Sequence, residues 1–399
     1  MEFKTLDNLD LENKTVFVRV DLNCPIKNKK PILSQRIKEH SKTIAYLIKQ
    51  KAKVVILSHQ GRKGDKDFTS LKNHKKLLEH EVKKFIKNSK ILFVDDVCSK
   101  KAIDAIKSLK PAQALLLENT RFLDCETDYE KTKSCVLVDA LEPLCDIFVL
   151  DALSVAHRAH ASVVGFKKPI RVAGKVLEEE LKALKKFQDP PRPCVLILGG
   201  AKISDSIDIL YFWAENNKAD YFLVGGLFSV ELLKASDILK NLDLANAIDN
   251  QTLQKLSDLY LKFQQKIILP SDVVLNVNNK PVISSLQDIS PNSKIFDIGP
   301  KSTKKYLEYI KNAGSIILNG PMGVYEQKGF EKGTKEILVG ISKSKAFSLL
   351  GGGNTTDALN KFKISAKKFG YVSLSGKALI EYLTKGQLVG IDYLEGKDF

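Results

Sequence analysis

Short runs of β-branched and aliphatic residues punctuate the chain, separated by longer stretches in which apolar positions recur every three or four residues. In the first half the runs at 15–20 (TVFVRV), 53–58 (KVVILS), 91–94, 113–117 and 147–150 predict strands. In the second half the runs at 194–198 (CVLIL), 220–224, 267–270, 315–318 and 346–350 do the same. Within each run the apolarity is continuous rather than alternating, the pattern of strands covered by helices on both faces. Strand and helix in repeated alternation predict an α/β fold built on parallel sheets. Segment 174–188 (GKVLEEELKALKKFQ) predicts a helix, with Val176, Leu177, Leu181 and Leu184 apolar and Glu178 placed four residues before Lys182. It stops at DPPRP, whose prolines cannot continue a helix. Two doubly wound domains joined by a helix at 173–189 are expected, the second starting at residue 190. No repeat of 20–50 residues is visible.

Composition adds one useful asymmetry. The 399 residues, 44% hydrophobic and 28% charged, suit two globular cores and exclude disordered or fibrous classes. The net charge of +16 on its own suggests a polyanionic partner. Yet the 63 basic residues comprise only seven Arg, the other 56 being Lys, and every Arg lies in the first 200 residues. Arginine's planar fork grips a carboxylate or phosphate in two places, which lysine cannot do, so this half is expected to hold an oxyanion site. The six cysteines form no CxxC pair or zinc-like cluster, and the even steps Cys125, Cys135, Cys145 read as coincidence. The opening MEFKTLDNLDLENKT does not resemble a signal peptide, and no apolar run approaches the roughly 18 residues that span a bilayer. A reducing cytoplasm and no membrane contact are expected.

In open α/β sheets ligands sit outside the carboxyl ends of the strands. There the first half places Asp21-Leu22-Asn23, Ser58-His59-Gln60-Gly61-Arg62, Glu118-Asn119-Thr120-Arg121, and Asp151 followed by His157-Arg158-Ala159-His160. Arg36 follows the first strand. This edge suits a small metabolite with more than one phosphate or carboxylate. With no base–nucleophile pair nearby, His59, His157 and His160 are better read as hydrogen-bond donors than as acid–base catalysts.

The second half carries glycine at the same places: Gly199-Gly200-Ala201-Lys202, Gly225-Gly226, Asn319-Gly320-Pro321-Met322-Gly323 and Gly351-Gly352-Gly353-Asn354-Thr355. Glycines between a strand and a helix let backbone N–H groups approach phosphate oxygens, although neither a Walker A loop nor a GxGxxG fingerprint is present. Lys202 offers a point charge for a terminal phosphate and Glu326 an acceptor for ribose hydroxyls. An anion half and a nucleotide half joined by a helix suggest a hinge-closing phosphotransferase.

The stretches VRVDLNCP (18–25), QRIK (35–38), SHQGR (58–62), LLLENTRF (115–122), DALSVAHRAH (151–160), LGGAKISD (198–205), LNGPMGVYE (318–326) and GGGNTTDAL (351–359) resemble the phosphoglycerate kinase family in order and spacing, with archaeal-like variants. The resemblance implies reversible phosphoryl transfer from 1,3-bisphosphoglycerate to ADP, giving 3-phosphoglycerate and ATP with Mg²⁺, directly and in line on domain closure. It implies that Arg19, Asp21, Asn23, Arg36, His59, Arg62, Arg121 and Arg158 hold the phosphoglycerate. Gly200, Ala201, Lys202, Asn319, Glu326, Gly352, Gly353, Asn354 and Thr355 would line the nucleotide site. Arg36, Lys202, Gly353 and Gly376 would serve the transfer itself. The C-terminal stretch would fold back on the first domain, giving domains 1–172 with 387–399 and 190–386.

Three positions depart from the family's commonest pattern. Ser206 stands where many members have a second phosphate-binding lysine, and Ser375-Gly376-Lys377 replaces a glycine triplet, with Lys377 a candidate for the missing charge. Asn354 replaces an Asp associated with the metal–nucleotide, and an amide oxygen is a poorer ligand for a hard cation than a carboxylate. These departures leave one alternative, a weakened relative that binds phosphoglycerate or nucleotide without efficient turnover. A nucleic-acid-binding role rests on charge alone, with no recognisable binding motif, and is set aside.

Overall fold

The computed structural model describes residues 3–239, 241–242 and 248–397. Residues 398 and 399 of the C-terminal stretch lie outside the described residues, as do 1 and 2. The chain divides into one unit made of Met1–Lys182 with Gln387–Phe399 and a second made of Ala183–Gly386. The division falls within helix Lys175–Lys185.

The first unit is built on six parallel strands in the order Ile91–Phe93, Ala114–Leu116, Lys53–Leu57, Thr15–Arg19, Ile147–Leu150, Ile170–Ala173. The chain leaves Thr15–Arg19 toward one side and returns on the other at Ile147–Leu150, so the order reverses beside the first strand's carboxyl end. Helix Gln35–Lys49 starts at Ser34, whose side chain accepts from the Ile37 N–H, and buries Ile37, Ile44, Leu47 and Ile48 against the sheet residues Val16, Val18 and Ile56. Asp151, fully buried, fastens the adjoining elements: it pairs with His40 Nδ1 (2.8 Å) and accepts from Thr43 Oγ1 (3.0 Å) and the Val176 N–H (3.0 Å). Helix Val389–Leu394 also belongs to this unit. The Gly390 N–H donates to the Ala156 carbonyl (2.7 Å), and the Tyr393 ring meets Phe148 edge-on at 5.8 Å.

The second unit has six parallel strands in the order Ile267–Ile268, Tyr221–Val224, Cys194–Leu198, Ser315–Asn319, Phe347–Gly351, Tyr371–Val372. Its reversal lies between Cys194–Leu198 and Ser315–Asn319. Cys194–Leu198 is buried at every position, as its unbroken apolar run predicts. Val195, Ile197, Ile316, Tyr306 and Ile337 form the core beneath one face. Beside this sheet lies an antiparallel one ordered Lys280–Ser285, Asp272–Val277, Ile295–Ile298, which the sequence reading did not predict.

The parallel two-sheet α/β architecture agrees with expectation, and all ten predicted strands form. The cysteines require a correction. Cys125 and Cys135 are joined by a disulfide of 2.06 Å, a pairing the sequence reading did not anticipate, whereas Cys145, the next even step, is free. Helix Asp124–Thr132 ends at Lys133, whose left-handed backbone (φ 52°) turns the chain back and brings the two Cα atoms to 5.1 Å, within bridging range. Spacing along a sequence carries no record of that turn. Cys24, Cys98, Cys145 and Cys194 are free thiols.

Candidate active site

Parallel strands align their carboxyl ends, and in the first unit this gathers basic side chains from three separate loops. Arg62, Arg121 and Arg158, with Lys63 and His160, line a cleft of about 410 Å³. Arg121 is buried, its Nη1 donates to the Gly61 carbonyl, and its Nε has no partner among the described residues. Burial, then the neighbouring Arg19 and Arg158, push the Arg121 guanidinium down to about 10. Arg158 is lowered by burial and by Arg62. Guanidinium groups crowded until each weakens the next form a site that an anion relieves.

A second group adjoins it in sequence. Arg36 Nη1 pairs with Asp21 Oδ2 at 3.2 Å and donates to the Asn23 carbonyl at 3.4 Å. Asn23 Oδ1 accepts from the Gly61 N–H (2.9 Å), and Ser154 Oγ donates to Asp21 (2.5 Å). Burial alone would raise the Asp21 carboxyl. Arg36, then His59 and the Ser154 hydroxyl, override it and hold Asp21 well below the usual carboxylate range. His59 is held well below its usual value by burial, Arg19 and Arg121. Burial, with Arg19 and Arg121, brings His160 down to about 3. Both rings are neutral near pH 7, which suits them to donating hydrogen bonds.

Arg19 is placed differently from the rest of its group. It has no exposed surface, and its donors go to Ser162 Oγ, the Val20 carbonyl and His59. The two arginines outside the motifs are structural: Arg171 lies 4.8 Å above the Tyr393 ring, and Arg192 pairs with Asp220 at 2.9 Å.

In the second unit the glycine loops interlock. The Gly200 N–H donates to the Pro321 carbonyl (2.8 Å), the Gly226 N–H to Met322 (2.7 Å), and the Leu227 N–H to Gly200 (3.0 Å). Gly226 takes φ +57°, and a Cβ there would lie 2.5 Å from the Gly200 nitrogen; Gly320 takes φ +89°, and a Cβ would lie 2.5 Å from the Gly199 carbonyl oxygen. The loops surround a cavity of about 350 Å³ with apolar walls (Leu227, Val273, Ile295, Phe296, Met322, Val324) that also bears Gly200, Ala201, Glu326 and Asn354. Such a slot fits a flat aromatic base with a polar exit. Helix Gly353–Lys361 starts at Gly352 (φ 93°), and helix Lys377–Lys385 starts at Gly376, whose side chain, if it had one, would point within 4.0 Å of Gly352. Two helix N-termini thus adjoin, a natural seat for phosphate. Thr355 Oγ1 accepts from the Gly320 N–H (3.2 Å) and ties one of them to the Asn319 strand end. Lys202 is exposed at the start of helix Ile203–Glu215, and Ser206 is buried one turn on, with its hydroxyl on the Lys202 carbonyl.

Several neighbours escaped the sequence reading. Asp297, buried among the cavity walls, accepts from the Gly333 and Ile298 N–H groups, and burial pushes its carboxyl up to about 7. Glu126, fully buried, accepts from Ser162 and Thr120 beneath the arginines. Neither carried a signal, because a buried carboxylate looks like any surface acid in a list of letters.

The family model for phosphoglycerate kinase matches residues 6–386. The chain is 38% identical over 405 residues to the phosphoglycerate kinase of Methanobacterium bryantii, covering 99% of this chain and 97% of that one. It is likewise 38% identical over 416 residues to that of Methanococcus maripaludis, covering 98% of each. Among solved structures, phosphoglycerate kinase from Pyrococcus horikoshii superposes with a TM-score of 0.89 at 30% identity, over 98% of both chains. The enzyme from Coxiella burnetii does so with 0.80 at 33%, over 99% of both. Motif order, sheet topology and similarity over nearly the whole length agree, and the chain belongs to the phosphoglycerate kinase family of phosphotransferases.

Proposed function

We propose that this phosphotransferase moves a phosphoryl group reversibly between 1,3-bisphosphoglycerate and ADP, giving 3-phosphoglycerate and ATP. The observation that carries the assignment is the cleft walled by Arg62, Arg121 and Arg158, where buried, partnerless donor capacity is matched to a small polyanion. These three side chains would grip the phosphate of phosphoglycerate. Asn23, His59 and Asp21 would orient its other end, with Asp21 also aligning Arg36. Arg36 would follow the migrating group, supporting charge spread over its three equatorial oxygens. Across the reaction, Lys202 and the N–H groups at Gly353 and Gly376 would receive the nucleotide phosphates, while Asn319, Thr355 and Glu326 frame the nucleotide.

An acyl phosphate transfers directly to a nucleotide oxygen, so no covalent intermediate or general base is required. Alignment, electrostatic support and exclusion of water on domain closure supply the catalysis. Among the described residues no group of three or more His, Cys, Asp or Glu side chains gathers to hold a metal. Asn354, on the nucleotide cavity wall, would be the protein residue that helps hold the nucleotide's Mg²⁺, through its amide oxygen. When bound, the ion would neutralise phosphate charge. Among the described residues no helix is long and apolar enough to cross a membrane. A cytoplasmic location belongs to this same proposal.

The test is a coupled assay of ATP-dependent 1,3-bisphosphoglycerate formation from 3-phosphoglycerate with Mg²⁺ varied. Saturable, metal-dependent turnover is expected, and its absence in folded protein overturns the assignment. No observation favours the weakened relative as a second reading.

A further inference from the structure

Glu126 is out of contact with solvent, yet both carboxylate oxygens are occupied. Oε2 accepts from the Ser162 N–H at 2.8 Å; Oε1 accepts from Ser162 Oγ at 2.5 Å and from Thr120 Oγ1 at 3.2 Å. Ser162 has one hydroxyl proton, and it is given to Glu126. Its oxygen is therefore left to accept, which it does from Arg19 Nε at 2.7 Å. Arg19, also without exposed surface, directs Nη1 to the Val20 carbonyl and Nη2 to His59 Nδ1 at 3.2 Å.

The direction of every bond in this chain is fixed by chemistry. A guanidinium only donates, so His59 Nδ1 must be the lone-pair nitrogen and the ring's proton must sit on Nε2. The carboxylate at the far end only accepts, so Ser162 cannot reverse its hydroxyl without abandoning either Glu126 or Arg19. Glu126 also offsets the crowding above it, since its charge favours the cationic forms of both Arg19 and Arg121.

We propose that Glu126 is a positioning residue that acts through Ser162 and Arg19 to lock His59 as a neutral Nε2–H donor in the phosphoglycerate site. The relay joins three separate segments: Glu126 on the helix after the arginine strand end, Ser162 on the short helix after the histidine motif, and His59 at the end of a third strand. It converts a buried carboxylate into the orientation and tautomer of one ring in the proposed phosphoglycerate site. The role of His59 rests on the phosphoglycerate assignment above; its tautomer does not.

Two measurements separate these layers. Long-range ¹H–¹⁵N correlation spectra of the ligand-free protein read the tautomer of His59 directly, whichever anion the site binds. At pH 7 wild type is expected to show Nε2–H with a lone pair on Nδ1; Nδ1–H or a doubly protonated ring overturns the proposal. In Glu126→Gln the neutral amide removes the fixed acceptor, and in Ser162→Ala the link to Arg19 is cut while the carboxylate stays. Both are expected to shift His59 to mixed tautomers. Both are also expected to raise KM for 3-phosphoglycerate at least about fivefold while KM for ATP stays within twofold. Folded variants with an unchanged His59 spectrum and unchanged KM for 3-phosphoglycerate would overturn it, as would equal losses for both substrates. If the phosphoglycerate assignment fails instead, the spectra still show the lock while 3-phosphoglycerate kinetics are absent.

Discussion

Arg36 is the side chain on which turnover should depend most, because its Nη1 is held by both Asp21 and the Asn23 carbonyl, which places the guanidinium in the site. An ammonium replaces a planar two-point grip with one point charge, so Arg36→Lys is expected to lower kcat by more than about tenfold in the coupled assay. Wild-type turnover would remove Arg36 from the mechanism. His160 gives a prediction in pH. Its folded value is about 3 against an ordinary 6.5, so between those values the unfolded chain binds a proton that the folded one refuses. Stability is therefore lost as pH falls below about 6.5, at about 1.4 kcal/mol per pH unit for each such histidine. Buried His74, down to about 4, adds to it. Thermal melts from pH 7 to 5 should fall less steeply in His160→Gln; an unchanged slope would refute this account. The arginines were legible because fork geometry has few alternative uses and lysine supplied the contrast. Glu126 and Ser162 were not, since their meeting depends on a fold that brings together residues 36 apart.

The helices and strands were legible to the degree that burial left a one-dimensional trace. Strands covered on both faces read as unbroken apolar runs, and these were found. Asp272–Val277 and Lys280–Ser285 pair as an antiparallel hairpin; the second is largely exposed and mixed, and in the first Asp272 and Asn276 bracket only a short apolar run, so they escaped. A signal did exist there: Asn278-Asn279, both at positive φ, form the tight turn that right-twisted strands favour. Ile170–Ala173 escaped because Arg171 interrupts its apolar run. The glycine loops yield two predictions. Gly226→Ala places a methyl 2.5 Å from the Gly200 nitrogen at left-handed φ, and backbone on that side cannot yield as a side chain would. A loss of at least about 2 kcal/mol in chemical denaturation, with weakened nucleotide binding, is expected. Asn354→Asp restores a carboxylate in the first turn of helix Gly353–Lys361 and should lower the Mg²⁺ concentration for half-maximal activity several-fold; no change would mean the side chain does not reach the ion.

For the molecule as a whole, the surplus of positive charge proved less informative than its division between lysine and arginine. Family membership rests on motifs spread over the full length, while the disulfide became visible only in three dimensions. One feature of the chain path bears on synthesis. The unit that carries the arginine cleft is made of the first 182 residues and the last 13, with the second unit emerging between them. A ribosome therefore releases every residue of the nucleotide-side unit before the other can be completed. The arginine unit must wait, with the surfaces around Ala156, Phe148 and Phe166 uncovered, until Gly390 and Tyr393 arrive. Ending the chain at residue 386 should thus spare nucleotide binding and abolish phosphoglycerate binding, which calorimetry with each ligand would show. In a nascent protein of this design the arginine unit stays open until residues 387–397 are read, and shielding those surfaces during translation becomes a task for the cell.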